Sequence, residues 1–167
     1  MDPSTLNFEP NLAKAATLPS AWYTDPGALA LEQERLFGAT WQYACAAEKV
    51  ACPGAFVTTE VAGEPLVILR DQEGRLRGFY NVCRHRGGPV AEGEGQCKVL
   101  KCAYHGWLYG LDGTLRTTPE FKGVECFDKA HFGLKQVAVD TFGPFVFAHL
   151  GGDRPPLADW LGLIPSE

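Results

Sequence analysis

Two short patterns constrain this chain more than anything else in it: Cys83-Arg-His85 and, one loop later, Cys102-Ala-Tyr-His105. Each half offers one thiolate and one imidazole, so a fold that uses them must bring two separate loops together. A binuclear iron–sulfur cluster with two chemically distinct irons needs this pairing. Two soft, anionic Cys ligands hold the iron that stays ferric. Two neutral His ligands make the other iron easier to reduce, which lifts the potential above that of an all-Cys cluster. Gly87, Gly88 and Gly106 let the backbone approach such a group, and Pro89 stiffens the loop. Tyr104 and Trp107 are placed to wall the site from solvent. A structural zinc site also takes two Cys and two His. The usual zinc finger, however, puts both Cys in one half and both His in the other, so the interleaved order here favours iron.

Composition agrees with metal or redox chemistry. The 167 residues are 46% hydrophobic and 21% charged, enough for a core without disulfide staples. Six Cys in such a chain, read as cytoplasmic, point to metal or redox use rather than a disulfide framework. Cys45, Cys52, Cys97 and Cys126 have no partner at ligand spacing and read as packing or surface thiols. His131 and His149 read as ordinary histidines. The net charge of −5 and the lack of a basic run argue against nucleic acid. The N-terminus has neither a cationic nor an apolar signal region. The apolar runs Pro65–Leu69 and Pro144–Ala148 are far too short to span a bilayer.

The predicted fold is mainly β. Asp25-Pro26 reads as an N-cap followed by Pro at the first helical position. The helix is expected to run to about Phe37, with Leu29, Leu36 and Phe37 toward the core and Gly38 as its stop. Strands are expected at 41–46, 55–61, 64–70, 76–82, 98–102, 107–111, 114–117, 136–141 and 144–150. Tight turns at Ala62-Gly63, Asp71–Gly74 and Asp112-Gly113 separate several of them. Many short strands between turn signals argue for an antiparallel β-sandwich. The stretch 83–96 reads as a Gly-rich loop, and 102–107 as a compact turn. Gly151–Pro156 reads as a linker, with 157–163 able to begin another helix.

On these residues the sequence resembles the N-terminal Rieske domain of the α subunits of Rieske non-heme iron oxygenases, the aromatic-ring-hydroxylating and choline-monooxygenase-like enzymes. The resemblance rests on Asn81-Val-Cys-Arg-His-Arg-Gly87 and Cys102-Ala-Tyr-His-Gly-Trp107 with Tyr109 and Gly113. It extends to Leu18-Pro-Ser-Ala-Trp-Tyr23, to Phe37 with Trp41-Gln42, and to Gly143-Pro-Phe-Val146. It implies an antiparallel Rieske-type β-sandwich with an inserted cluster-binding subdomain at about 82–119 and one N-terminal helix. It divides the chain into a segment with that helix (1–40), the Rieske [2Fe–2S] domain (41–150) and a linker toward a catalytic domain (151–167). The implied ligands are Cys83, His85, Cys102 and His105, with the imidazole edges near the surface, so that the potential falls as pH rises. Arg84 and Arg86 are expected at the cluster rim, where they screen its charge and help a partner dock.

The subtype follows from two departures. Respiratory Rieske proteins carry an extra Cys in each loop, joined as a disulfide; the corresponding stretches here hold Gly, Pro and Ala103, and Trp107 replaces a hydroxyl residue. Fewer hydrogen bonds to the cluster set the expected potential near the low end of the Rieske range, about −150 mV. The chain also has only 4 His, and no mononuclear-iron triad of two His and a carboxylate is visible. The resemblance therefore implies one-electron transfer from a ferredoxin or flavin reductase, fed by NAD(P)H, to a mononuclear Fe(II) site in a catalytic domain of a neighbouring subunit in a homo-oligomer. The linker-like 151–156 and the end at Ile164–Glu167 favour a truncated oxygenase subunit. A stand-alone Rieske ferredoxin is the alternative, and a zinc-stabilised interaction module a third.

Overall fold

A computed structural model of the chain describes residues 2–121, 123–152 and 154–164. The last residues, 165–167, on which part of the truncation reading rested, lie outside the described residues. The architecture is mainly antiparallel β, as expected. Its strands are β1 (Gln42–Ala46), β2 (Ala55–Val61), β3 (Glu64–Arg70), β4 (Leu76–Tyr80), β5 (Glu94–Gln96), β6 (Leu100–Lys101), β7 (Leu108–Tyr109), β8 (Leu115–Thr117), β9 (Gln136–Phe142) and β10 (Phe145–His149). Seven form one curled sheet in the order β1-β10-β9-β4-β3-β2-β5, and β6-β7-β8 form a second, small sheet. The stretch 83–96, expected to be loop throughout, contains β5, which pairs with β2 through Ala55↔Gln96 and Val57↔Glu94. The small sheet therefore hangs from an edge of the large one.

Strand β3 joins two cores. Leu66, Val67, Ile68 and Leu69 are all fully buried, so over this stretch the strand has no solvent face. Side chains alternate across a strand. Leu66 and Ile68 accordingly pack with Val57, Val137 and Val146, while Val67 and Leu69 pack with Phe79, Trp107 and Tyr109. Burying each such side chain contributes about 2 kcal/mol, so the second core, which holds the cluster loops, is anchored on the same strand as the first.

Helices are short: α1 (Ala21–Thr24), α2 (Pro26–Arg35) and α3 (Leu157–Leu161). Asp25 caps α2 by accepting from the Gly27 N–H at 2.7 Å, with Pro26 in the first turn, as the sequence predicts. The expected core face does not form. Leu29 and Leu36 are 52% and 49% exposed, and only Ala28 is buried. The helix ends at Arg35 and Phe37 falls into a 3-10 turn, half-buried. The helix rests on the surface through Ala28 and the half-buried Leu31. The tail beyond β10 is in contact with the domain: Trp41 Nε1 donates to the Pro155 carbonyl at 2.9 Å, and Leu157 is buried. No helix among the described residues is long and apolar enough to cross a membrane.

The turn from β3 to β4 carries a buried carboxylate. Asp71, 1% exposed, accepts from the Glu73 and Arg75 backbone N–H groups and from Nε of Arg75 and of Arg77. Burial raises its pKa, but these donors outweigh burial and hold the carboxyl below its ordinary 3.8. A depressed folded-state value means that the stabilisation is complete above the unfolded value and is lost as pH falls through the folded one. Asp71→Asn is expected to cost about 2–3 kcal/mol at pH 7. In urea titrations the gap between wild type and variant should narrow as pH drops below about 4.

Candidate metal centre

Cys83 and Cys102 each open a turn of the same construction. The Cys83 N–H donates to Gly88 O at 2.8 Å and the Gly87 N–H to Cys83 O at 3.0 Å. The Cys102 N–H donates to Trp107 O and the Gly106 N–H to Cys102 O, both at 3.0 Å. Gly87 and Gly106 have φ of 74° and 72°, a conformation that L side chains avoid. The two turns therefore present their sulfurs in like fashion although their His residues stand at different spacings.

The fold regroups the four donors. Cys83 and Cys102 are buried, 3% and 2% exposed, in the same hydrophobic core. The His85 and His105 rings lie 4.6 Å apart between centroids. Sequence neighbours Cys/His and Cys/His thus become a Cys pair and a His pair. Gly88 sits so close that a Cβ there would lie 3.2 Å from Cys102 Sγ. Among the described residues, no three His, Cys, Asp or Glu side chains converge on a point where one ion could sit.

The surroundings of the two imidazoles differ. Trp107, 1% exposed, stacks on His85 at 4.8 Å with planes 7° apart. Phe121, Phe127 and Phe132 pack edge-on around Trp107. Tyr104 stacks on His105 at 4.0 Å but is itself 63% exposed, and His105 is exposed. Trp107 is therefore an inner wall and Tyr104 an outer one. Desolvation, then His105 and Arg86, hold the His85 imidazole below its usual pKa, favouring the neutral ring that a metal ligand requires. Burial pushes the Cys102 thiol up, so its thiolate needs a nearby cation. Arg84 is half-buried and Arg86 exposed. A groove of about 630 Å³, lined by Glu64, Tyr80, Arg84 and Lys135, opens beside Cys83 and His85.

Of the remaining Cys and His residues, Cys97 is half-buried and packs against the core that holds Cys83 and Cys102; the others lie outside that core. Cys45 is buried and pushed up to about 11 by desolvation, and Cys52 and Cys126 are exposed. His131 is exposed, 3.7 Å from Asp128. His149 is buried, with Nε2 at 3.0 Å from Ala39 O and Nδ1 accepting from the Gly151 N–H.

A family model, the Rieske [2Fe–2S] domain, matches residues 40–128. The chain belongs to the Rieske [2Fe–2S] domain family. It is 36% identical over 168 residues to the chloroplastic choline monooxygenase of Spinacia oleracea, covering 96% of this chain and 38% of that protein. It is 35% identical over 156 residues to the carnitine monooxygenase oxygenase subunit of Escherichia coli (strain K12), covering 93% and 42%. Among solved structures, the apo form of a quaternary ammonium Rieske monooxygenase superposes with a TM-score of 0.85 at 32% identity, over 90% of this chain and 44% of that one. Naphthalene 1,2-dioxygenase from Rhodococcus sp. superposes with a TM-score of 0.80 at 29% identity, over 86% and 34%. The chain thus spans about two fifths of the length of the curated relatives it matches.

The residues present fit the [2Fe–2S] cluster that this family implies. His85 Nδ1 is buried without a hydrogen-bond partner among the described residues, a cost of about 1–3 kcal/mol that a metal bond removes. The buried thiol pair and the glycine cradle at Gly88 fit the same group.

Two residues at the site were not assigned roles from sequence. Asn81 hydrogen-bonds across the first loop. Tyr109 lies two residues after Trp107, hence on the same face, which is the only signal sequence offers. Its hydroxyl accepts from the Arg84 N–H at 3.0 Å and lies 3.2 Å from Cys83 Sγ. Burial holds its pKa well above the tyrosine range, so it keeps its proton. Once Cys83 is a thiolate ligand it has no proton to give, and the Tyr109 hydroxyl is then the donor to the sulfur. A donor to sulfur stabilises the more negative, reduced state. Tyr109→Phe should therefore lower the reduction potential by about 40 mV, the equivalent of about 1 kcal/mol for one electron, read by redox titration of the cluster-loaded protein.

Proposed function

We propose that this chain is the electron-transfer domain of a Rieske oxygenase, with Cys83 and Cys102 holding one iron of its [2Fe–2S] cluster and His85 and His105 the other. The observation that carries this reading is the regrouping of the donors, with Cys83 and Cys102 buried in one core and the rings of His85 and His105 4.6 Å apart. When bound, the cluster supplies a one-electron couple, expected near −150 mV. The chain's own residues do the rest. Cys83 and Cys102 sit inside the hydrophobic core, which keeps water from the sulfurs. Trp107 and its Phe neighbours shield His85 on one side. His105 reaches the surface under Tyr104, which offers a short route to an external acceptor.

The proposed donor is a ferredoxin or flavin reductase fed by NAD(P)H. Arg84, Arg86 and Lys135 beside Cys83 and His85 support an acidic partner face. The proposed acceptor is a mononuclear Fe(II) in a catalytic domain of a neighbouring subunit. A related quaternary ammonium Rieske monooxygenase is described as using inter-subunit electron transfer, which supports a homo-oligomer here. The four cysteines outside the ligand set, Cys45, Cys52, Cys97 and Cys126, are free thiols, which suits the reducing cytoplasm.

Replacement of the donors tests the ligand set. Cys83→Ser, Cys102→Ser, His85→Ala and His105→Ala should each abolish the visible absorbance and drop iron below two per chain. Cys52→Ser and Cys126→Ser should leave both unchanged. Full iron loading in any of the first four removes that residue from the set.

A further inference from the structure

The two cluster loops are closed in different ways. The Cys102 loop grows from a β-hairpin, with Leu100 opposite Tyr109 and Lys101 opposite Leu108. Backbone pairing therefore reaches to within one residue of Cys102. The Cys83 loop has the same tip turn, Cys83 N–H on Gly88 O and Gly87 N–H on Cys83 O, but no hairpin ladder beneath it. It leaves β4, and both edges of β4 are already occupied, by β3 through Leu66↔Tyr80 and by β9 through Gly78↔Val137. The Tyr80 N–H donates to Lys135 O and the Asn81 N–H to Pro65 O, so these backbone donors are spent on the neighbouring strands. The returning segment, Val90 and Ala91, has no backbone partner available there.

The Asn81 side chain fills that gap. Its Oδ1 accepts from the Val90 N–H at 2.9 Å and from the Ala91 N–H at 3.1 Å. Its Nδ2 donates to the Ala91 carbonyl at 2.9 Å. Asn81 is 8% exposed and Val90 2%, so the bond to Val90 is buried and the two to Ala91 are partly so. A carboxamide has the donor and acceptor of a peptide group. Here it meets both the N–H and the C=O of Ala91, as an opposing strand would.

We propose that Asn81 is the positioning residue of the first cluster loop: its side-chain amide stands in for the missing rung of a β-ladder, closes the loop at 81 and 90–91, and so fixes Cys83 and His85 against Cys102 and His105. The proposal rests on the ligand assignment above. Nearer the tip the loop is also held by the Cys83–Gly88 backbone pair and by the Tyr109 hydroxyl on the Arg84 N–H, so Asn81 acts at the base alone. With the base untied, Cys83 and His85 would move together while the hairpin half stayed in place.

The test combines amide hydrogen exchange with EPR of the reduced, cluster-loaded chain. In wild type, the Val90 and Ala91 amides should exchange as slowly as those of Leu108 and Tyr109. Exchange there at the rate of an open loop overturns the proposal without any variant. In Asn81→Ala and Asn81→Leu, exchange at Val90 and Ala91 should rise by about tenfold or more, with Leu108 and Tyr109 unchanged. The reduced-cluster g values should shift or broaden, and the cluster should be lost to a chelator severalfold faster. Loosening that spreads equally to the hairpin makes Asn81 a general stability residue and overturns the proposal, as do unchanged g values and unchanged cluster loss. A wild-type chain that loads iron without a Rieske signal sinks the ligand assignment instead, and the exchange arm still decides whether Asn81 closes the loop.

Discussion

Over Leu66–Leu69, strand β3 has no face toward water, and the rest of the molecule is arranged around that fact. Leu66 and Ile68 belong to the core of the curled sheet; Val67 and Leu69 belong to the core beneath the cluster loops. Each core uses the other as its wall. A small three-stranded sheet such as β6–β8 would be marginal alone. Packed on β3 and Phe79, it becomes a rigid mount. Cys83 and Cys102 are members of this core, so the stability of the fold and the position of the sulfurs depend on the same contacts.

From that mount the site is assembled by individual hydrogen bonds. Two turns of like construction present two sulfurs, and a glycine at position 88 makes room for them. Tyr109 joins the loops by touching Cys83 and Arg84 at once. The asymmetry between the imidazoles arises from packing: His85 is stacked on a buried Trp107, and His105 lies under an exposed Tyr104. One His is shielded and the other open, which suits a centre that must exclude water yet exchange electrons with partners.

Much of this was legible in the sequence because it depends on local chemistry. The cap at Asp25-Pro26 and the strands 55–61 and 64–70 follow from capping, alternation and turn residues, and they stand where expected. The four donors stood out because their residue types are rare and their spacing is tight. Other features depend on partners distant in sequence. Leu29 and Leu36 read as core residues from periodicity, but α2 fully buries only Ala28. The strand 94–96, Glu-Gly-Gln, carries no β signal and exists because β2 offers it an edge. Phe121, Phe127 and Phe132 form a wall around Trp107 that no local pattern announces.

The central claim is that the Cys pair and the His pair bind one mixed-ligand cluster. EPR of the dithionite-reduced, iron-reconstituted chain tests it most directly. Two His on one iron predict an axial or rhombic signal whose average g lies below that of an all-Cys [2Fe–2S] protein. A colourless, zinc-loaded chain, or a reduced spectrum with the average g of an all-Cys cluster, would contradict the account.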